Sequence, residues 1–381
     1  VTGNLPRILA AGVSVRSLAR SAIAAGYEVL TADGYGDRDL IESSPGPGRH
    51  LTVSPFDPDA VADHVTMPYD AVAYTSNFEN HADALERIAA GRVILGNPPD
   101  VLRDVRRAER VREVLDAAGL PAPAVYAAAG DAARLAHGGA LLAKPRRGGG
   151  GGGVRHWRPG EPLLDDELLQ EWVDGVPGSL VFVADGREVV VLGVTRQLIG
   201  DAAFGASGHR WCGNLLGGEG APVLAAEQEV TASATASARA ITRAFGLRGI
   251  NGIDFIARNG TAVVIEVNPR WTAAVELVER SLGMSLFPAH ASACEGDLPG
   301  LDRARAPGVV GKAVTFATAD CVMPNTDSWL ADGATGDVPL SGSPVPRGAP
   351  ICTLFASEAT SAACHGALAE RARAIGRAIT P

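Results

Sequence analysis

The chain has almost no lysine. Of its 34 basic residues only Lys144 and Lys312 are lysines, and the rest are arginines. Either an Arg-, Gly- and Ala-rich composition retained two by chance, or a compact ammonium is wanted at one of them. Long apolar runs are missing too. No stretch reaches the roughly 18 uninterrupted residues of a membrane span, and Val1 to Leu9 has no basic segment leading into a long apolar one. Neither a membrane segment nor a secretory leader is therefore expected, and the expected location is cytoplasmic. The five cysteines, Cys212, Cys294, Cys321, Cys352 and Cys364, are odd in number, far apart and without a CxxC pair. That pattern excludes a disulfide framework and the usual zinc motifs. A net charge of −9 argues against a general nucleic-acid binder. What is present is an ordinary globular composition, 46% hydrophobic and 20% charged, in 381 residues, enough for two or three domains.

The N-terminal part reads as α/β. Arg7-Ile-Leu-Ala-Ala11 runs into Gly12, a helical spacing follows at Val15, Leu18, Ala19 and Ile23, and Tyr27 to Thr31 begins a second strand before Asp33. This is the strand–glycine–helix–strand order of nucleotide-binding folds, although Gly12 is followed by Val-Ser-Val-Arg and falls short of GxGxxG. Further strands at 70–74 and 93–95 predict a parallel sheet of about four strands, closing at Gly96-Asn97-Pro98-Pro99. Asp100 to Ala118 reads as one helix. Leu102, Val105, Val111 and Leu115 face inward, and Arg103, Arg106, Arg107 and Arg110 form a basic stripe that a solvated face explains. Gly119-Leu-Pro-Ala-Pro123 ends it and marks a domain boundary.

Strands dominate from Leu141 onward. Leu141-Leu-Ala-Lys144-Pro145 precedes six consecutive glycines, Gly148 to Gly153, and Leu168 to Val173 reads as another strand. Asp185-Gly186 and Asn259-Gly260 are hairpin signals. The Gly-rich stretch 200–220 predicts a long mobile loop, 227–245 an alanine-rich helix, Lys312 to Phe316 and Ile351 to Phe355 two tail strands, and 359–379 a closing helix. No internal repeat is visible.

Two constellations carry chemistry. A glycine run between strands lets backbone N–H groups fold over a polyphosphate, and Lys144 at the strand edge offers a point charge to the same phosphates. A plain linker would not need flanking strands. Asp254, Glu266 and Asn268 offer the oxygen donors that Mg²⁺ takes. Register decides whether they converge. A two-residue Asn259-Gly260 turn sets Asp254 against Ile265 and leaves Asp254 and Glu266 on opposite faces; a three-residue loop over 259–261 sets Asp254 against Glu266, with Asn268 and Arg270 following on that face. A shared metal therefore predicts the three-residue loop. A solvent-facing acidic edge explains Asp254 well, but it explains a glutamate between Ile265 and Val267 poorly.

Lys144-Pro145 with its glycine loop, Gln170-Glu171-Trp172-Val173, and Asp254 with Glu266-Val267-Asn268-Pro269-Arg270 occur in one order along residues 7–290. In this the sequence resembles the ATP-grasp superfamily of carboxylate–amine ligases. Within it, the chain is similar to uncharacterised carboligases distantly related to biotin carboxylase, some of which occur beside genes for methanopterin- or methanofuran-type one-carbon carriers. The stretches Tyr74 to Asn80 and Gly348 to Thr353 fit that branch. The resemblance implies an α/β chain (α+β overall) with the ATP-grasp fold. Its parts would be a Rossmann-like pre-ATP-grasp domain at 1–98, a small subdomain with the glycine loop at 99–175, a large subdomain with the metal site at 176–300, and a small C-terminal α/β extension at 301–381.

The resemblance also implies roles. Lys144 with Gly149, Gly150, Gly151 and Gly152 would contact the ATP phosphates. Glu171 and the backbone of Trp172 and Val173 would hold adenine, with Asp174 at the ribose. Asp254, Glu266 and Asn268 would bind Mg²⁺ (or Mn²⁺), and Arg270 would join Lys144 as the catalytic pair, facing the transferred phosphoryl group. Two positions depart from the superfamily. Ala108 stands where relatives place another ATP lysine, so Arg107 or Arg110 is the expected substitute. Gly178-Ser179 stands where many carry a ribose-binding glutamate.

The implied reaction activates a small-molecule carboxylate as an acyl phosphate for attack by an amine, with glutamate a candidate amine. A place in one-carbon-carrier biosynthesis and a homodimer are further implications, and neither nucleic acid nor membrane is an expected partner. Two alternatives stay open: a bicarbonate-dependent carboxylase working through carboxyphosphate, and a non-catalytic ATP-binding sensor. His209, with Arg210 and Trp211, and the strand-end pair Arg196 and Gln197 are placed where an acceptor could meet them, although an ordinary loop histidine is the simpler reading. Lys312 is expected to be structural or solvent-facing.

Overall fold

The computed structural model describes residues 5–127, 140–298, 300 and 305–379. In the N-terminal part, β1 (Ile8–Ala11), α1 (Arg16–Ala24), β2 (Val29–Asp33), α2 (Arg38–Ser43), β3 (His50–Thr52), α3 (Pro58–His64), β4 (Ala71–Tyr74), α4 (Ala82–Ala89) and β5 (Val93–Leu95) alternate. The strands pair in parallel in the order β3-β2-β1-β4-β5. Strands β1, β2 and β4 are buried residue for residue, as a sheet covered on both faces requires. The expected four strands gain a fifth, β3, which is short and partly exposed and so leaves no apolar signature. The chain steps from β1 to β2 on one side and returns to β4 on the other, which opens a crevice at the C-terminal strand ends.

Two helices, α5 (Pro99–Val105) and α6 (Ala108–Ala117), lead out of this sheet. The single helix expected over 100–118 is broken, because Arg107 takes extended angles, φ −84° and ψ 103°. The apolar positions Leu102, Val105, Val111 and Leu115 are buried all the same. Next, β6 (Val125–Tyr126), β7 (Leu141–Pro145), β8 (Arg155–Trp157) and β9 (Glu167–Glu171) form a small antiparallel sheet in the order β6-β9-β7-β8.

The rest of the chain builds a large antiparallel sheet. In sequence its elements are β10 (Val176–Asp185), β11 (Val189–Ile199), β12 (Trp211–Gly217), α7 (Glu227–Phe245), β13 (Arg248–Arg258), β14 (Thr261–Asn268), α8 (Val275–Leu282), α9 (Phe287–Glu295), β15 (Val309–Phe316), β16 (Cys321–Val322), α10 (Asp327–Ala331), β17 (Thr335–Gly336), β18 (Pro344–Val345), β19 (Pro350–Glu358) and α11 (Ser361–Ile379). The order is β14-β13-β10-β11-β12-β15-β19-β17, with β16 and β18 paired apart. The stretch expected as a mobile loop over 200–220 instead supplies β12, in mid-sheet. Cys212, Leu215 and Leu216 are buried there. A Cβ on Gly213 would fall 2.1 Å from the Lys312 carbonyl of β15, so a glycine that reads as loop marks a close approach of two strands. The boundary expected at 300–301 adjoins residues 299 and 301–304, which lie outside the described residues, as do residues 1–4.

One buried ion cluster joins these regions. Arg16 of α1 is 1% exposed. Its Nη1 and Nη2 donate to the two carboxylate oxygens of Glu276 on α8 at 2.7 and 3.0 Å, its Nε donates to Asp337 Oδ1 at 2.9 Å, and Asp39 of α2 lies 3.3 Å away. Lys312 of β15 is also buried and donates to Glu276 Oε2 at 2.8 Å, so the second lysine is structural and does not face solvent. Burial works to raise the Glu276 carboxyl, but Arg16 and then Lys312 outweigh it and hold it well below the usual range.

A depressed carboxyl stabilises the fold above its unfolded pKa and loses that contribution as pH falls toward its folded one. Stability is therefore expected to decline as pH drops below about 4.5. Arg16→Met, which leaves Glu276 and Asp337 buried without their guanidinium, should cost about 3–5 kcal/mol in urea unfolding. A wild-type protein equally stable at pH 6 and pH 3, or an Arg16→Met variant within 1 kcal/mol of it (about the size of an exposed ion pair), would contradict this assignment.

Candidate active site

The β13–β14 hairpin sets Asp254 opposite Glu266 and Gly252 opposite Asn268. This is the pairing a shared metal needs, reached by an unexpected route. Asn259 (φ 50°) and Gly260 (φ 74°) form a two-residue turn, and Arg258 pairs with Thr261 directly after it. The register then shifts at Ile265, which has no partner across the ladder. The expected three-residue loop is thus corrected: the odd residue sits in a β-bulge within β14, not in the turn. The Ile265 carbonyl accepts instead from Lys144 Nζ (3.3 Å) on β7 and Gln170 Nε2 (3.2 Å) on β9.

Asn268 Nδ2 donates to Asp254 Oδ2 at 3.1 Å, and Arg270 Nη2 donates to Asn268 Oδ1 at 3.1 Å. Burial pushes the Asp254 carboxyl up, and the neighbouring Glu266 adds to the rise. At Glu266 burial acts in the same direction, but Arg106 and then Lys144 outweigh it and hold the carboxyl down. Two opposed carboxylates and an amide oxygen are hard donors, and their mutual repulsion is what a divalent cation relieves, so the set fits Mg²⁺ or Mn²⁺. Among the described residues no three His, Cys, Asp or Glu side chains gather as metal ligands. The set is therefore a two-carboxylate one that leaves coordination positions for other oxygens.

The arginine beside Glu266 is Arg106. Its Nη1 donates to Glu266 Oε1 (3.0 Å) and the Val267 carbonyl (2.8 Å), its Nε to Asn80 Oδ1 (3.0 Å), and its Nη2 to the Gly148 carbonyl (3.2 Å). The expectation of Arg107 or Arg110 at this place is corrected. Extended backbone at Arg107 ends one helix and starts another, which aims Arg106 into the cleft, leaves Arg107 exposed and lets Arg110 pair with Asp104 and Glu113 on the surface. Val105, Arg106, Ala108, Lys144, Gln170 and Glu266 line that cleft.

Across the cleft Arg270 Nε donates at 2.7 Å to Glu79 Oε1, from the loop that follows β4. Glu79 is 3% exposed, and its Oε2 has no partner among the described residues. The glycine loop lies closed. Gly148 O accepts from Asn80 Nδ2 as well as Arg106, Gly150 O accepts from Trp211 N at 3.0 Å, and a Cβ on Gly151 would meet the His209 carbonyl at 1.8 Å. Gly149, Gly150 and Gly152 are exposed.

At the hinge Glu171 is exposed, and its Oε2 accepts from Ala124 N at 3.1 Å. The Trp172 N–H donates to the Ala140 carbonyl at 2.8 Å, whereas the Val173 N–H makes no hydrogen bond among the described residues. Asp174, also exposed, accepts from Trp172 Nε1 at 2.7 Å. The Trp172 indole stands 5.1 Å from the ring of His156 and 5.8 Å from that of His209. Burial, then His156 and Lys144, push His209 below its ordinary value. Lys144 and Glu266 thus line one cleft, Asp254 pairs with Glu266 and is joined through Asn268 to Arg270, and Arg107 is exposed outside it.

Sequence reasoning gave Arg106, Glu79, Asn80 and His156 no site role. Glu79 and Asn80 carried a usable signal, a polar run straight after a buried parallel strand. Arg106 carried none, because no glycine or proline marks the helix break.

Residues 110–274 match the family described as the ATP-grasp domain. The chain carries an ATP-grasp domain. The carbamoyl phosphate synthase large chain of Renibacterium salmoninarum is 28% identical over 222 residues, covering 53% of this chain and 19% of that one. The chain spans about a fifth of the length of the curated relatives it matches. Among solved structures, the biotin carboxylase domain dimer of 2-oxoglutarate carboxylase from Hydrogenobacter thermophilus, with MgADP, ADP and bicarbonate, superposes with TM-score 0.72. It is 15% identical, and the match covers 98% of this chain and 90% of that one. The L-amino acid ligase of Bacillus licheniformis gives TM-score 0.68 at 15% identity, covering 99% and 98%. The ATP-grasp fold thus extends beyond the matched domain. No helix of the described residues is long and apolar enough to cross a membrane.

The corrected arginine yields a direct comparison. Arg106→Ala is expected to weaken MgATP binding about tenfold to a hundredfold, as loss of charge-assisted hydrogen bonds does. Arg107→Ala should leave the affinity unchanged. Equal effects of the two in a fluorescence titration with MgATP would reverse the correction.

Proposed function

We propose that the chain is an ADP-forming carboxylate–amine ligase, using ATP with Mg²⁺ (or Mn²⁺) to join a small-molecule carboxylate to an amine. The observation that carries this reading is the meeting of Asp254, Glu266, Asn268 and Arg270 with Lys144 in one cleft beneath a closed glycine loop. A divalent cation held by Asp254, Glu266 and Asn268 supplies neutralisation of phosphate charge. The other contributions are those of the chain. Lys144 offers its ammonium to the phosphates, and the N–H groups of Gly149 to Gly152 fold over them. Glu171 and the free Val173 N–H face adenine, with Asp174 near the ribose. Arg270, held from behind by Glu79, turns its remaining N–H groups toward the transferred phosphoryl group.

A carboxylate oxygen attacks the γ-phosphorus, the β–γ bridging P–O bond breaks, and ADP leaves with the electron pair. The amine, as free base, then attacks the acyl carbon. The C–O bond to phosphate breaks, and the departing phosphate takes the surplus N–H proton. An acyl phosphate hydrolyses readily, so the contact of Gly151 with the His209 backbone matters as a barrier to water. The fold shared with an L-amino acid ligase along nearly the whole chain supports amide formation. Five unpaired cysteines fit a cytoplasmic enzyme. The domain dimer of the oxoglutarate carboxylase supports a homodimer.

The test is an ADP-release screen of carboxylates, including one-carbon-carrier precursors, against amines, with glutamate in the panel. Turnover should require both partners, and Glu266→Gln should keep the fold while cutting ADP formation about a hundredfold or more. Turnover that needs bicarbonate and no amine makes the chain a carboxylase. Tight MgATP binding without ADP release across the panel makes it a binding protein. Full activity in Glu266→Gln removes the metal assignment.

A further inference from the structure

The cluster around Arg16 holds more carboxylates than its cations satisfy. Glu276 is taken up by Arg16 and Lys312, and Asp337 by Arg16, Ser14 Oγ and Thr353 Oγ1. Asp39 accepts the N–H groups of Asp337 and Val338 at 3.1 and 2.9 Å and faces Arg16. Two carboxylates are left over. Asp33, the last residue of β2, is 2% exposed. Its Oδ1 accepts from Gly36 N at 3.0 Å, and its buried Oδ2 has no partner. Asp37, directly before α2, is 6% exposed, and its carboxylate makes neither a hydrogen bond nor an ion pair among the described residues.

An ionised carboxylate buried without a partner costs several kcal/mol. Burial, reinforced by Asp337, accordingly pushes both groups up, Asp33 to about 7. What satisfies Asp33 Oδ2 and the Asp37 carboxylate together is an organic cation that donates several hydrogen bonds.

Their position gives that cation a role. Asp33 ends β2 at the C-terminal edge of the parallel sheet, one strand from the β1–β4 crevice where chain order reverses and where such sheets receive ligands. Tyr35, between the two aspartates, is 44% exposed, so this edge reaches solvent. Ser14 donates to Asp337 at 3.2 Å, and its carbonyl accepts from Thr75 Oγ1 at 3.0 Å. Thr75 opens the loop that carries Glu79, whose own buried Oε2 also lacks a partner and whose Oε1 holds Arg270. Asp33 and Glu79, each with one unpartnered oxygen, and Asp37, with neither oxygen partnered among the described residues, therefore stand along the C-terminal edge of one sheet.

We infer that this edge binds the amine substrate, and that the amine carries a second, cationic nitrogen. One nitrogen, beside Glu79 and Arg270, receives the acyl group, and the other, as ammonium or guanidinium, is held by Asp33 and Asp37. The acceptor class is a diamine or a basic amino acid, and glutamate is disfavoured because its side-chain carboxylate would meet two others. This inference rests on the ligase reading, whose amine site it specifies.

The test has a binding arm that needs no turnover. Calorimetry without ATP should find lysine, arginine, ornithine or putrescine bound and norleucine and butylamine not. Asp33→Asn and Asp37→Asn should each weaken the cation about tenfold or more. In the turnover arm, KM for the cationic acceptor should rise by a similar factor in both variants while KM for ATP stays put. Lysine and norleucine binding alike, a lysine affinity indifferent to both substitutions, or turnover confined to neutral or acidic amines would overturn the inference. So would both variants melting higher than the parent with no cation bound by any of the three proteins, since the aspartates would then be a proton-sharing structural pair. Cation binding that holds while no carboxylate–amine pair releases ADP would sink the ligase reading, and with it the acceptor role, but would leave the cation site standing.

Discussion

Burying a guanidinium commits everything around it. Arg16 gives up its water only because Glu276, Asp337 and Asp39 come to it from three separate parts of the chain. Helix α1 is thereby keyed to α8, to the turn after β17 and to α2. The N-terminal sheet then has one seat on the large sheet, and the loops at its C-terminal edge are carried to the end of β14. The contacts of Tyr74 and Asn97 with the Pro269 carbonyl are made across the same seam. A hydrophobic interface of equal area would resist separation without fixing rotation as tightly, because apolar contact has no direction.

The cleft is built at that seam, and no functional side chain in it is held by its own element alone. Arg270 leaves β14 and is gripped by Glu79 of the N-terminal sheet. Arg106 leaves the helix break and spans Glu266, Asn80 and the glycine loop. Lys144 leaves the small sheet and rests on β14. Opposite charges in such a cross-braced site set each other's protonation: Glu266 stays ionised beside Arg106 and Lys144, while Asp254, facing mainly Glu266, is pushed the other way.

Much of this was legible in the residues. The 227–245 helix, both hairpins, the tail strands and the convergence of Lys144, Asp254, Glu266, Asn268 and Arg270 follow from periodicity, turn chemistry and the resemblance. Three things were hidden for physical reasons. The break at Arg106–Arg107 arises from tertiary packing, with no breaker residue to announce it. Glycine at 213 is demanded by a neighbouring strand 100 residues away in sequence (Lys312 lies 99 on), so it read as a loop. The bulge at Ile265 changes register inside an apolar run, where period-two reasoning has only turn length to work with. Lys312 was obscure for a related reason: its partner Glu276 sits on a different element and is close only in the folded chain.

The bulge also decides where the Lys144 ammonium rests. Its ammonium rests on the Ile265 carbonyl and the Gln170 amide oxygen, both neutral acceptors. A neutral partner is surrendered readily, because any anion that meets an ammonium offers a stronger, charge-assisted bond. The irregular residue thus leaves the ammonium on two neutral acceptors, one on the small sheet and one on the large, without locking it into an ion pair.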